Sequence, residues 1–536
     1  LCCVVRWSSL QCQDNTTVLL LKRSVTTKSK TMKFNLLKRE SKRIINHEGA
    51  VAYVMSPEEE LYTAVVTTGL NDSFYEKQEE RLQRIQKLMA KCDPEFVAKL
   101  AAYARNEMNL RSVPMVLTVE LAKMTSGNAT VSKAVAHVVK RADEISELLA
   151  YYQLANNRKE TKKLSRLSKQ IQKGLAVSFN TFDEYQFAKY NRKTEVTLKD
   201  ALFLVHPKAK DKNQQELFDK IVNNTLATPY TWETELSVLG TVKFENTMAR
   251  TMAFGLKWEE LIESRKVGYM ALMRNLRNIL EAKVSAQHIA MVCDYLTNEK
   301  AIANSKQLPF RFLAAYREVK QIDSPFTSGI LEALEKAVTI SAQNIRGFGY
   351  DTSVVIACDV SGSMQKLISA RSKILLYDIG LMLGMLLQSR CKNVISGMFG
   401  DTWKVINMSK SAVLSNVEEY YRREGEVGYA TNGHLVLEDL IRKNQQVDKV
   451  MFFTDVQMWN STMMFNSFAG SWKKYKRIAP QAKLYLFDLA GYGQQPIDIR
   501  ENDVYLLAGW SDKIFDLLDA LENKETALDK INAIGL

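Results

Sequence analysis

Clustered metal-binding cysteines and histidines are missing from this sequence. Seven Cys occur without a Cys-x-x-Cys pair and five His lie far apart, which argues against a zinc ribbon or a disulfide framework and favours a reducing compartment. No apolar run reaches membrane-spanning length. The longest, Ile374 to Leu387, carries Asp378 and Gly380 and reads as a buried helix, so no membrane partner is expected. A phosphate-binding P-loop is also absent. Gly347-Phe348-Gly349 precedes a strand and lacks the third glycine of a dinucleotide fingerprint. His47, His137, His206, His288 and His434 give no encouragement to a catalytic triad, and no clustered carboxylates suggest a two-metal nuclease. Catalysis is therefore not expected.

What is present is an ordinary globular composition with a positive balance. The 536 residues are 46% hydrophobic and 25% charged, enough for two or three buried cores. Lys and Arg number 73 against 60 Asp and Glu, and the net charge of +13 favours anionic partners such as nucleic acid. Residues 1–31 read as a leader, disordered, non-native or transit-like, because Arg6, Lys22, Arg23, Lys28 and Lys30 sit among Ser and Thr with Asp14 the only acid. Apart from that weak targeting signal, a cytoplasmic location is expected.

From about Lys42 to Gln343 the chain is poor in Gly and Pro and returns repeatedly to a helical period. Asp93-Pro94 opens one helix, with Phe96, Val97, Leu100, Ala101 and Ala104 on one face. Tyr269, Leu272, Met273, Leu276, Ile279 and Leu280 form another stripe while Arg274 and Arg277 point away. Helix after helix without strand patterns implies stacked helical hairpins over residues 32–345. The pattern changes near Gly347 to Tyr350. Strands are predicted at Ser353 to Cys358, Val394 to Phe399, Trp403 to Ile406, Val450 to Thr454, Leu484 to Leu489 and Val504 to Leu507. Helices are predicted at Leu367 to Ser389, from Val417, at Trp472 to Ile478 and at Ser511 to Leu521. This alternation over residues 346–536 predicts a doubly wound, mostly parallel α/β domain, with its ligand beyond the carboxyl ends of the strands.

At the end of the first of those strands stands Asp359-Val360-Ser361-Gly362-Ser363. Alternate residues of an extended turn share a side, so one carboxylate and two hydroxyls converge. Hard, weakly charged oxygen donors suit Mg²⁺ or Mn²⁺. Asp455 ends another apolar strand, and Thr431 lies in the loop Tyr429-Ala430-Thr431-Asn432-Gly433. Together these resemble the metal-ion-dependent adhesion site of von Willebrand A domains. The resemblance implies Ser361, Ser363 and Thr431 as ligands, Asp359 and Asp455 as their supports, and an open position for a partner's carboxylate.

A second resemblance covers the helical part. Ala271-Leu272-Met273-Arg274-Asn275-Leu276, Leu296-Thr297-Asn298-Glu299-Lys300 and Pro309-Phe310-Arg311-Phe312-Leu313-Ala314-Ala315-Tyr316 are similar in order and spacing to the ring of Ro (TROVE-domain) proteins. So are Lys189-Tyr190-Asn191-Arg192, Lys199-Asp200-Ala201-Leu202 and His206-Pro207-Lys208, and Phe96 to Pro114 resembles bacterial members. The resemblance implies a ring of HEAT-like hairpins that binds small noncoding (Y) RNAs on its basic outer surface and single-stranded RNA ends in its hole. It points to Lys169, Lys173, Lys189, Arg192, Lys193, Lys199 and Arg274 as RNA contacts, with Arg158, Lys159, Lys162, Lys163 and Arg166 nearby. Where vertebrate members carry His before the Lys-Asp pair, this chain has Leu198. Tyr151, Tyr152, Tyr185 and Tyr190 either stack on bases or pack, packing being the commoner fate. Arg274 reads equally as a structural ion-pair partner.

The resulting expectation is an RNA-binding scaffold without DNA specificity, serving RNA quality control or decay, with a nuclease or other protein recruited through the metal. Two other readings stand beside it: a metal-dependent protein-binding adaptor that ignores RNA, and a metal-dependent ribonuclease.

Overall fold

The computed structural model describes residues 42–68, 76–156, 167–191, 194–343, 345, 347–369, 372–458, 467–499, 503–522 and 525–536. The expected leader, Arg192, Lys193 and the Arg158 to Arg166 cluster lie outside the described residues. Residues 41–536 form one compact unit.

Helices dominate as far as Ser341. The Asp93 carboxylate accepts from the Glu95 amide at 2.7 Å and caps the helix Pro94–Asn106, and the five apolar residues named for its face are all buried. The helix Tyr269–Glu281 likewise buries its predicted stripe and leaves Arg274 and Arg277 exposed. Strands are not excluded from this region, however. β1 (Arg43–Ile45) and β2 (Val51–Val54) form an antiparallel hairpin, and β2 pairs through Tyr53 and Val54 with a two-residue strand beyond residue 490. So short a hairpin has no readable period of its own; its partner lies at the other end of the chain.

The remaining strands are β3 (Ser353–Asp359), β4 (Asn393–Phe399), β5 (Trp403–Val405), β6 (Lys449–Thr454), β7 (Lys483–Asp488), β8 (Gln494–Gln495, the partner of β2) and β9 (Val504–Ala508). All but β8 belong to a six-stranded sheet of order β5-β4-β3-β6-β7-β9, parallel except for the edge strand β5. The order runs outward in both directions from β3 and β6, the switch point at which such sheets open a crevice. Successive strand residues face opposite sides. Val354, Ile356 and Cys358 therefore join the core shared with the helices, while Val355 and Ala357 join a separate core with Leu437 and Trp472.

Several helix boundaries differ from expectation, Phe468–Ile478 beginning before Trp472 and Leu414–Arg423 before Val417. The long apolar helix begins at Leu376, because Leu367 and Leu375 pair as an isolated bridge and close a loop before it. The closing helix starts as a 3-10 turn, Asp512–Phe515, continues as Asp516–Glu522, and is followed by an unforeseen helix, Ala527–Asn532, capped by Thr526. No described helix is long and apolar enough to cross a membrane.

The helices and the sheet domain are tied at both ends of the helical series. The Arg317 guanidinium donates to both oxygens of fully buried Asp378 at 2.7 and 2.8 Å and to Glu418 at 2.6 Å. Glu335 accepts from the amides of Val413, Leu414 and Ser415, capping the helix Leu414–Arg423. At the opposite end, helix Ala527–Asn532 packs on Pro94–Asn106, where Lys99 Nζ donates to Asn532 O at 2.9 Å.

Candidate functional site

β3 and β6 are adjacent and parallel, with Cys358 beside Phe453, so Asp359 and Asp455 leave the sheet side by side at the switch point. The Asp359 carboxylate accepts from the Ser361 amide at 2.9 Å and from the Thr454 hydroxyl at 2.5 Å. Those bonds fold the loop back so that the Ser361 and Ser363 hydroxyls stand 3.3 Å apart. Asp455 accepts from the Gln457 amide at 3.0 Å. Between them Val456 has φ +56°, a conformation costly for a β-branched side chain and of the kind that concentrates at functional sites. The third loop arrives through the Gly362 amide, which donates to Tyr429 O at 3.0 Å, two residues before Thr431.

All five expected residues are buried: Asp359 and Ser361 are 1% exposed, Ser363 and Thr431 3%, and Asp455 0%. Thr431 Oγ1 and Asp455 Oδ2 have no hydrogen-bond partner among the described residues. Burial pushes both carboxyls above the usual range, and the charge of Asp359 raises Asp455 further. Two adjacent buried acids, one of them with an idle oxygen, beside two hydroxyls require a proton or a cation, and an oxygen-only donor set suits a small hard cation. Among the described residues no group of three His, Cys, Asp or Glu could hold a metal, so any ion here depends on hydroxyl oxygens.

A third acid, missed in the sequence, ends the neighbouring strand. Asp488 pairs with Thr454 across β6 and β7, is fully buried, and accepts from the Ala490 and Gly491 amides at 3.0 and 2.7 Å. Burial pushes it up to about 6, against those amides and the nearby Arg81 and Arg84. A strand-end Asp in β7, equivalent to Asp359, was the readable signal.

The expected basic residues separate into groups. Lys169 and Lys173 are exposed one turn apart on helix Lys169–Phe179. That helix is joined to Leu198–Val205, which carries Lys199, by the Gln172 amide group donating to Leu204 O and Val205 O at 3.2 and 3.1 Å. Lys189, on Glu184–Tyr190, lies 5.7 Å from the rings of both Tyr185 and Tyr190. None of these four lysines pairs with a carboxylate among the described residues. Arg141, absent from the sequence reading, stacks 4.4 Å over Tyr190; only tertiary packing brings it there. Tyr185 is 45% exposed, whereas Tyr152 is buried and accepts from the Ser168 amide, and Tyr151 donates to Glu120. Leu198 is buried, so the position where vertebrate members have His faces the core here. Arg274 lies elsewhere, on a helix that packs against residues 286–319, and is exposed without a carboxylate partner among the described residues. A further convergence was not foreseen: Lys140 is held below its ordinary range by burial and by the positive charges of Arg105 and Lys306.

The TROVE domain family model matches residues 48–236 and 225–329. Telomerase protein component 1 of Mus musculus is 25% identical over 319 residues, and that of Rattus norvegicus is the same; each match spans 45% of this chain and 12% of the relative. The crystal structure of the Deinococcus radiodurans RO (RSR) protein aligns with a TM-score of 0.54 at 15% identity, covering 86% of this chain and 99% of that one. With the family match spanning more than half its length, this chain belongs to the TROVE-domain family.

Proposed function

We propose that this chain is a non-catalytic RNA-binding scaffold of the Ro type. Its ligands are small noncoding RNAs and single-stranded RNA ends, and its service is RNA quality control or decay. The observation that carries the reading is a pair of basic groups, Lys169, Lys173 and Lys199 on two joined helices and Lys189 and Arg141 around Tyr185 and Tyr190, all within the family match. Lysines without a carboxylate partner neutralise phosphates, and an exposed ring such as Tyr185 accepts an unstacked base.

The α/β domain is, in this reading, a von Willebrand A domain. Ser361, Ser363 and Thr431 hold Mg²⁺ or Mn²⁺, with Asp359 and Asp455 orienting them from behind. The ion supplies an electrophilic centre for a carboxylate of a protein partner, such as a nuclease. The idle, buried oxygens of Thr431 and Asp455 support this reading.

The test is RNA binding across a salt series, using a structured RNA with a single-stranded end. Lys169→Glu, Lys173→Glu and Lys199→Glu together lower affinity and flatten the salt slope by about 2–3. Ser361→Ala leaves RNA binding unchanged. Unaltered affinity in the triple variant rejects the surface; RNA cleavage abolished by Asp359→Ala would favour a nuclease instead.

A further inference from the structure

The turn joining β1 to β2 lies against the cation cradle, although it comes from the far end of the chain. Its own geometry is tight. The Asn46 side-chain oxygen accepts from the Glu48 and Ala50 amides at 3.1 and 2.8 Å, and Gly49 takes φ +79° to close the turn. The same Asn46 side chain, 6% exposed, donates through Nδ2 to Met458 O at 2.8 Å. The His47 amide donates to Gln457 Oε1 at 3.1 Å, and its ring meets the edge of Tyr492 at 5.5 Å. Gln457 is the residue whose own amide is held by Asp455. The turn is thus clamped to the strained loop Asp455 to Met458, one residue on either side of Glu48 fixed within hydrogen-bonding or local turn contacts.

Glu48 is half-buried, and its negative charge bears on Asp359, one of the two deep carboxylates of the cradle. A carboxylate near buried Asp359, itself beside Asp455, raises the local electrostatic energy unless a cation lies among them. A hard cation held mainly by hydroxyls keeps a coordination position for one more anionic oxygen.

We propose that Glu48 is an intramolecular ligand of the cation site, its carboxylate taking the position that a partner's carboxylate would otherwise fill. The inference rests on the metal reading proposed above. The hairpin is then a built-in plug, and capture of an acidic partner requires it to lift. Its construction suits that role: Ile45, Val51 and Val54 are 61%, 44% and 38% exposed, and only Tyr53 and Val54 pair it to β8.

The full chain, freed of metal, is titrated with Mn²⁺ alone, reading free Mn²⁺ by electron paramagnetic resonance and exchangeable waters by proton relaxation. The wild type binds Mn²⁺ and Ser361→Ala loses it. Glu48→Gln binds on the order of tenfold more weakly, gains an exchangeable water, and then takes up acetate at the vacated position, which the wild type resists. Asn46→Ala, which keeps the Glu48 carboxylate in the chain but removes both the bond to Met458 and the bonds that close the turn, gains acetate uptake too. If Glu48→Gln and Asn46→Ala both match wild type in affinity, hydration and acetate response while Ser361→Ala still loses the ion, the plug is overturned and the cation site survives. If the wild type takes no Mn²⁺, the cation reading itself fails and Glu48 falls with it.

Discussion

The later helices of the series, near residues 232–263, and the sheet domain spend their apolar residues in opposite ways. Helix Trp232–Gly240 has no buried residue, and of the 17 residues of Thr247–Glu263 only Gly255, Trp258, Leu261 and Ile262 are buried. Helix Leu376–Arg390 buries every residue from Leu376 to Gln388, and β6 is buried throughout. In the proposed function the helical series acts through solvated cations such as Lys169 and Lys173, each almost independent of the others and screened by salt. The proposed cation site is instead a desolvated cradle, where every oxygen needs a partner. Substitutions on the first should grade the function; those in the second should remove it or unsettle the fold.

The largest effect is expected where the two regions meet. Arg317→Ala strands the fully buried Asp378 carboxylate, and denaturant unfolding should show a loss of about 3–5 kcal/mol. A smaller effect belongs to Asp488. Its carboxyl is raised from 3.8 to about 6, so the contribution to stability is complete below about pH 4 and is lost as pH rises through about 6, amounting to roughly 3 kcal/mol. Unfolding midpoints in chelator across that range should fall with rising pH for the wild type and less steeply for Asp488→Asn, in which Asp359 and Asp455 still titrate. Next comes the ion: Mg²⁺ at about a hundred times its dissociation constant should stabilise the fold by about 2.7 kcal/mol in thermal unfolding, and Ser361→Ala should abolish the gain. The smallest is on the surface, where Tyr185→Ala should cost about 1 kcal/mol of RNA affinity and leave stability unchanged. A destabilised Tyr185→Ala would break the contrast between the two regions.

Legibility in the sequence followed the same division. The capping pair Asp93-Pro94, the stripe on Tyr269–Glu281 and the six apolar strands were readable because each depends on neighbours within a few residues. Asp359, Ser361, Ser363, Thr431 and Asp455 were readable as strand ends and loops. What escaped depends on distant partners. The β1–β2 hairpin is completed by Gln494 and Gln495, Arg141 reaches Tyr190 only through packing of separate helices, and Leu198 turns inward for the same reason. The Thr526 and Asp529 capping pair before the unforeseen helix was visible, but six helical residues make too weak a period to stand out.

The bond from Asn46 to Met458 joins residues 412 positions apart. On a ribosome adding about 5–20 residues per second, the early hairpin waits roughly 20–80 s for the segment that anchors it. During that interval its edge and its exposed Ile45, Val51 and Val54 are open to chance pairing with other nascent chains. Brevity is the safeguard: with three and four residues per strand, the unpaired ribbon offers too little template to aggregate before its own anchor emerges.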